Sequence, residues 1–340
     1  MITTRFAPSP TGNLHLGNLR SCFLNWIYSK KNNGKFILRY DDTDQERSKE
    51  EFVLSIASDL KWLNIDYDET YFQSKRVDLY DRAFDQLISK KLVYPCFESN
   101  EDLEIKKKLQ LKAGKPPIYD RESLNLTKEE IEKKILSGNR PYWRFKLSQN
   151  KIQWNDLVKG VSQYNMSNLS DPVIIREDGR VIYTLASVVD DIDFEVTDIL
   201  RGEDHMTNSA AQIQLFEALE SSPPNLGHLS LLTDITGAGL SKRIGSLSLR
   251  DLKTEGFQPM AISSLLSKVG TSDAVDIFKD INQIIFDFDI SKFGKSKPKF
   301  DKNELKGLNS KFFKLLDYAD IKDQLNIFDF EITSEFWDLM

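Results

Sequence analysis

The chain has 3 histidines in 340 residues, and one of them, His15, stands in the stretch PSPTGNLHLGN (8–18), among prolines and the glycines Gly12 and Gly17. A strand that runs into a glycine-containing loop and then a helix start offers unpaired amides and the positive end of the helix dipole, an arrangement suited to phosphate. Glycine lets the backbone approach such an anion, and an imidazole on the rim can donate to its oxygens. A second polar loop, GLSKRIGS (239–246), sets Ser241, Lys242 and Arg243 between glycines. A mobile ammonium there can stabilise charge on a leaving phosphate in a phosphoryl or nucleotidyl transfer. Alone, each feature equally describes a surface histidine before a helix and a basic surface loop. Together they describe the two sides of a nucleotide site.

The elements that must hold these residues follow from local pattern. TTRFA (3–7) predicts a strand, ended by Pro8 and Pro10, which cannot donate to a ladder. From Leu16 the residues Leu19, Cys22, Phe23, Trp26 and Ile27 recur at three and four, the helical period, and NNGK (32–35) is the stop. FILRY (36–40) predicts a buried strand leading into the acidic turn DDTD (41–44), so the first forty-odd residues read as a βαβ unit of a parallel sheet. Helical periodicities dominate 50–135, broken by AGKPPIYDR, as in an insertion. PYWRFKL, IQWNDLVKGVSQYN and PVIIREDGRVIYTLASVVDD return to strand character, and the text turns helical again after about 245. No internal repeat or low-complexity tract is present.

Composition narrows the function classes. No apolar run approaches a membrane span and no signal peptide opens the chain, which excludes a membrane protein and points to the cytoplasm. Cys22 and Cys96, the only cysteines, have no CxxC partner and read as free thiols, without zinc-ligand spacing. A net charge of -6 argues against a general nucleic-acid binder. The basic runs at 106–115 and 291–314 read as solvated faces and are equally compatible with a local RNA contact.

PSPTGNLHLGN followed at this separation by GLSKR (239–243) resembles the paired HIGH and KMSKS signatures of class I aminoacyl-tRNA synthetases. RFAPSPTGNLHLG, ILRYDDTD, YTLASVVDD, VTDILRGEDH, HLSLLTDITGAGLSKR and KFDKNELKGLN carry the resemblance further, to the bacterial glutamyl-tRNA synthetase family, over residues 1 to about 315. The glutaminyl relatives differ in the first motif and usually carry a DDTN-like turn in place of DDTD. The resemblance implies an α/β fold: a Rossmann-type parallel-sheet catalytic domain with an inserted acceptor-binding α+β domain, followed by a helical stem-contact region. The expected boundaries are 1–78 and 182–245 for the two catalytic halves, the second with the KMSKS-like loop, and 79–181 for the insertion. Residues 246–320 are expected to form the stem-contact region and 321–340 to begin a truncated anticodon-binding domain.

It also implies ligation of L-glutamate to tRNA(Glu) through glutamyl-adenylate, with ATP and Mg2+ but no zinc, by a monomer. His15 and Lys242 are the expected catalytic residues. ATP is expected on Pro8, Ser9, Gly12, His15, Gly17, Asn18, Ser241, Lys242 and Arg243, and glutamate on Arg5, Ser9, Asp41, Tyr183, Ser187 and Arg201. An arginine fork suits a planar carboxylate, and Asp41 stands where the family meets the substrate ammonium. Three positions depart from the pattern: Asn18 replaces the second histidine of HIGH, Gly239 the first lysine of KMSKS, and Asp41 a glutamate of many relatives. A glutamyl-Q tRNA(Asp) synthetase-like enzyme and a silent tRNA-binding remnant are the competing readings. The intact set Arg5, Asp41, Tyr183 and Arg201 favours the ligase.

Overall fold

The structure is a computed structural model that describes residues 1–240, 248–325 and 333–339. Strand β1 (Thr3–Phe6) is wholly buried, and helix α1 (Leu16–Lys31) follows the proline-containing loop. Leu16, Leu19, Phe23 and Ile27 give α1 the apolar stripe it buries. The turn into β2 (Lys35–Tyr40) needs Gly34, where a Cβ would lie 2.3 Å from the Ile2 carbonyl oxygen. Helix α2 (Glu50–Trp62) and strand β3 (Glu69–Phe72) complete a parallel sheet in the order β1-β2-β3.

Helix α3 (Val77–Ser89) leads to β4 (Val93–Cys96), α4 (Asn100–Lys112) and α5 (Lys128–Leu136). Then come β5 (Tyr142–Phe145), the hairpin β6 (Lys151–Asp156) and β7 (Gly160–Asn165), and β8 (Val173–Ile175). β4, β5 and β8 pair antiparallel. Capping boxes start α4 (Ser99 with Asp102) and α5 (Thr127 with Glu130), and neither helix buries a side chain. The β4 end of this layer is organised by Glu98, whose carboxylate accepts from Tyr119 (2.7 Å), Ser123 (3.0 Å) and Tyr142 (3.1 Å). Removing it strands three hydroxyls. Glu98→Ala is therefore expected to destabilise the protein by about 1–3 kcal/mol, read as a drop of a few degrees in Tm.

Residues 183–193 form helix α6 (Tyr183–Asp193), where the sequence reading gave strand character. The run of Val and Ile suggested a strand, but Leu185, Val188 and Val189 are buried at helical spacing against Leu215 and Phe216, so packing overrides the β preference. Strand β9 (Asp198–Gly202), helix α7 (Met206–Ala218) and strand β10 (Asn225–Leu229) form a second parallel βαβ unit. β9 lies beside β1: the Thr197 amide donates to the Thr3 carbonyl at 2.9 Å. Higher up, the Asn25 side chain bridges the seam, donating to the Leu200 carbonyl (2.6 Å) and accepting from the Leu200 amide (3.0 Å). The strands thus run β3-β2-β1-β9-β10, as expected of a Rossmann-type sheet. From the β1/β9 seam the chain winds outward in both directions, and such a switch point opens a crevice at the carboxyl ends of the strands.

Helices α8 (Leu249–Thr254), α9 (Pro259–Lys268), α10 (Ile281–Asp287) and α11 (Lys302–Phe313) follow, with α12 (Tyr318–Leu325) and α13 (Ser334–Leu339). Leu265, Ile284 and Leu305 belong to the same buried cluster as Leu19 and Phe23: α9 and α10 pack on α1, and α11 packs on α9 behind them. Among the described residues no helix is long and apolar enough to cross a membrane.

Candidate active site

An open cleft of about 860 Å³ occupies the crevice. Every strand of the sheet delivers residues to it from its carboxyl end: Arg5 from β1, Asp41 after β2, Gln73 after β3, Arg201 from β9 and Ser230 after β10. Of the residues expected from sequence, Arg5, Pro8, Ser9, His15, Gly17, Asn18, Asp41, Tyr183 and Arg201 line this cleft. Gly12 does not, and a Cβ there would meet nothing within 4 Å. Ser187 also stays off the wall, fully buried behind Arg39. Ser241, Lys242 and Arg243 lie outside the described residues. The described flanks of that segment are tied to the site, with Gly239 bridged to Thr233 and Ser248 bridged to His15.

His15 caps α1. Its Nδ1 accepts from the amides of Gly17 (3.1 Å) and Asn18 (3.4 Å), which leaves the proton of the neutral ring on Nε2. Burial lowers the pKa of the ring, favouring that neutral form. Gly17 has a steric reason to be glycine, because a Cβ would sit 3.0 Å from His15 Cε1. The result is an imidazole that donates from Nε2 beside the α1 amino end.

The opposite side is a lattice of buried charges. Arg5 binds Asp191 through Nε (3.1 Å) and Nη2 (3.2 Å). Arg39 binds Asp41 through Nε (2.7 Å) and Nη2 (3.3 Å), Asp191 through Nη1 (2.8 Å) and the Ser187 hydroxyl through Nη2 (3.2 Å). Burial works to raise the Asp191 pKa, but Arg5 and Arg39 outweigh it and hold the carboxyl below its usual range. Burial prevails at Asp41, pushing it up to about 6 against the Arg39 fork. Arg201 differs from its neighbours. Its Nη1 donates to the Tyr183 hydroxyl (3.2 Å) and its Nη2 to Ser209 (2.6 Å), while Nε is buried with no partner. Among the described residues no carboxylate lies in ion-pair range of it, and burial lowers its pKa.

Two participants escaped the sequence reading. Arg39 and Asp191 both sit inside quoted motifs, ILRYDDTD and YTLASVVDD, but nothing local shows that residues 186 apart in sequence, Arg5 and Asp191, form a pair. Part of each basic run is taken up in surface ion pairs: Lys106 with Asp120 (3.0 Å), Lys302 with Glu255 (2.6 Å) and Lys311 with Asp276 (2.9 Å). Among the described residues no group of three His, Cys, Asp or Glu side chains is placed to hold a metal ion.

Residues 1–307 match the family described as tRNA synthetases class I (E and Q), catalytic domain. Glutamate–tRNA ligase 1 of Maricaulis maris is 47% identical over 339 residues, covering 99% of this chain and 76% of the relative. The enzyme of the same name from Rickettsia felis is 47% identical over 338 residues, 99% of this chain and 75% of its own length. Among solved structures, a glutamate tRNA ligase from Elizabethkingia meningosepticum in complex with its amino acid superposes with a TM-score of 0.88 at 29% identity, covering 98% of this chain and 74% of that one.

Proposed function

Because this chain belongs to the class I (E and Q) tRNA synthetase family, we propose that its cleft seats ATP against α1 and holds glutamate across Arg201 and Asp41. The reaction is the ATP-dependent ligation of glutamate to tRNA. The glutamate α-carboxylate attacks the α-phosphate, pyrophosphate leaves, and a terminal ribose hydroxyl of the tRNA displaces AMP from the glutamyl-adenylate. The attacking carboxylate is already ionised, so the first step needs orientation and charge stabilisation, not a base. His15 Nε2 donates to phosphate oxygens and Lys242 stabilises charge on the departing triphosphate end. Mg2+ would ride on the ATP phosphates and water, as Mg2+ seldom sits in an all-protein cage.

Arg201 carries this reading: a buried guanidinium, unpaired with any described carboxylate, at the floor of a nucleotide-sized cleft. It takes the side-chain carboxylate of glutamate, and Asp41 takes the ammonium. Arg5, chelated by Asp191, frames the pocket and holds that carboxylate away from Arg201. The acceptor is tRNA(Glu), and the enzyme works as a monomer in the cytoplasm, a reducing compartment suited to its two free, buried cysteines. The test is charging of purified tRNA(Glu), tRNA(Gln) and tRNA(Asp) with glutamate or glutamine. Glutamyl ester on tRNA(Glu) is the expected product, and charging with glutamine alone would overturn the assignment.

Asp41 makes this reading pH-dependent. With a carboxyl that titrates at about 6, kcat/KM for glutamate is expected to fall as pH drops through that value, because the protonated group no longer faces an ammonium. Asp41→Asn should flatten this acid limb and raise KM roughly 10–100-fold. Stability moves the other way. Folding raises this carboxyl from 3.8 to about 6, so the folded state binds more protons in that window and the Asp41 contribution declines as pH climbs through it. The Tm difference between wild type and Asp41→Asn, followed across the window, checks the sign.

A further inference from the structure

We infer that His228, braced by Asp156, is a positioning residue that sets the Arg201 guanidinium through Ser209 and thereby the affinity for the amino-acid side chain. This rests on Arg201 being the group that takes the substrate carboxylate.

The chain of contacts begins in the β6–β7 hairpin. Asp156 closes β6 and is saturated: one oxygen accepts from the amides of His228 (3.0 Å), Val158 (3.0 Å) and Lys159 (2.9 Å), and the other faces His228 Nδ1 in a short hydrogen bond. An ionised carboxylate only accepts, so Nδ1 carries a proton and the ring plane is set. Burial works to raise the Asp156 pKa, but the His228 and backbone hydrogen bonds outweigh it and lower it. On the far side of the ring, Nε2 lies 2.6 Å from the Ser209 hydroxyl of α7. That hydroxyl is also 3.0 Å from the His205 carbonyl, and it accepts from Arg201 Nη2 at 2.6 Å. His228 and Arg201 are direct partners in the β10/β9 register. Four elements, β6, β10, α7 and β9, therefore converge on one guanidinium nitrogen.

Ser209, His228 and Asp156 reproduce the order of a hydrolytic triad, but none lines the cleft and both Ser209 and His228 are fully buried, so no substrate reaches the hydroxyl. What the arrangement does instead is remove freedom. A serine hydroxyl alone rotates; here its one proton has acceptors only at the imidazole Nε2 and the His205 carbonyl, and donation to either leaves its lone pairs toward Arg201. Tyr183 holds the other terminal nitrogen. Without the Ser209 anchor the guanidinium is free to swing toward Asp191, the acidic neighbour whose charge it already feels, and an arginine paired there no longer presents its charge to substrate.

The test is aminoacylation by the full chain with glutamate and ATP titrated separately, for Ser209→Ala, His228→Gln and Arg201→Ala. Ser209→Ala and His228→Gln should each raise the glutamate KM about tenfold, the size of one hydrogen bond to a charged group, with kcat and the ATP KM within about twofold of wild type. His228→Gln should add nothing further in the Arg201→Ala background, since coupled sites are non-additive. Ser209→Ala, a conservative change within a helix, carries the test if His228→Gln does not fold. Parallel rises in the ATP and glutamate KM, or multiplicative effects in the double variant, would mark a merely structural role and overturn the inference. Unchanged glutamate KM in Ser209→Ala and His228→Gln, beside a defective Arg201→Ala, would overturn it alone. An unaffected Arg201→Ala would overturn the reading of the site and this inference with it.

Discussion

Arg201→Ala is expected to raise the KM for glutamate by about 10²- to 10³-fold, since truncating one partner of a buried, hydrogen-bonded charge pair costs about 2–5 kcal/mol. Steady-state aminoacylation with glutamate varied at saturating ATP and tRNA measures it. The size follows from isolation: Arg5 and Arg39 already have aspartate partners, whereas Arg201 has a phenol, a serine and a buried Nε with none. Arg201→Lys should recover little, because an ammonium cannot reproduce the planar fork. The same isolation gives a second readout. A buried guanidinium without a carboxylate in contact has its desolvation penalty only partly offset, so Arg201→Ala should leave Tm no lower than wild type even as KM rises. A fall in Tm with unchanged KM would reverse this picture and make Arg201 a structural residue.

Lys242→Ala should act on the other kinetic constant. Charge on the leaving pyrophosphate develops in the transition state, and losing one such electrostatic donor costs about 10²–10³ in kcat. Adenylate formation under single-turnover conditions should slow by that factor, while the glutamate KM moves little and transfer from preformed adenylate is spared. A wild-type rate of tRNA-dependent pyrophosphate exchange in Lys242→Ala would remove the lysine from the mechanism. Ser248, the first described residue after that segment, bridges to His15 of the first signature.

What the sequence disclosed depended on range. The β1–loop–α1 unit was legible because its signals are local: prolines that end a strand, an apolar stripe at helical spacing and NNGK as its stop, whereas the capping role of His15 needed the structure. The convergence of Arg5, Asp41, Tyr183 and Arg201 came from family resemblance, and the fold supplies its reason, since Arg5, Asp41 and Arg201 stand at the carboxyl ends of β1, β2 and β9 and Tyr183 opens α6 beside them. Spatial strand order cannot be read along a chain, so the seam between β1 and β9 was not foreseen. Helix α6 was misread because Val188, Val189 and Ile192 favour a strand locally, and the packing on α7 that overrides this is distant in sequence. Ser187, expected on the wall, lies on the face of that helix turned toward Arg39, one layer behind the pocket. Arg39 itself was passed over because a strand arginine reads as solvent-facing until its two aspartates are in place.

The seam has a mechanical meaning. A ladder of parallel strands yields only if several rungs break together, but at Leu200 both backbone groups are held by one side chain, Asn25. Rotation of a single amide would release donor and acceptor at once. At this height of the seam the two βαβ halves thus meet through one compliant side chain, whereas lower down the Thr197 amide holds the Thr3 carbonyl directly. A loaded cleft would brace that point from above, so the upper seam should be softer when the cleft is empty and stiffen as substrates span it.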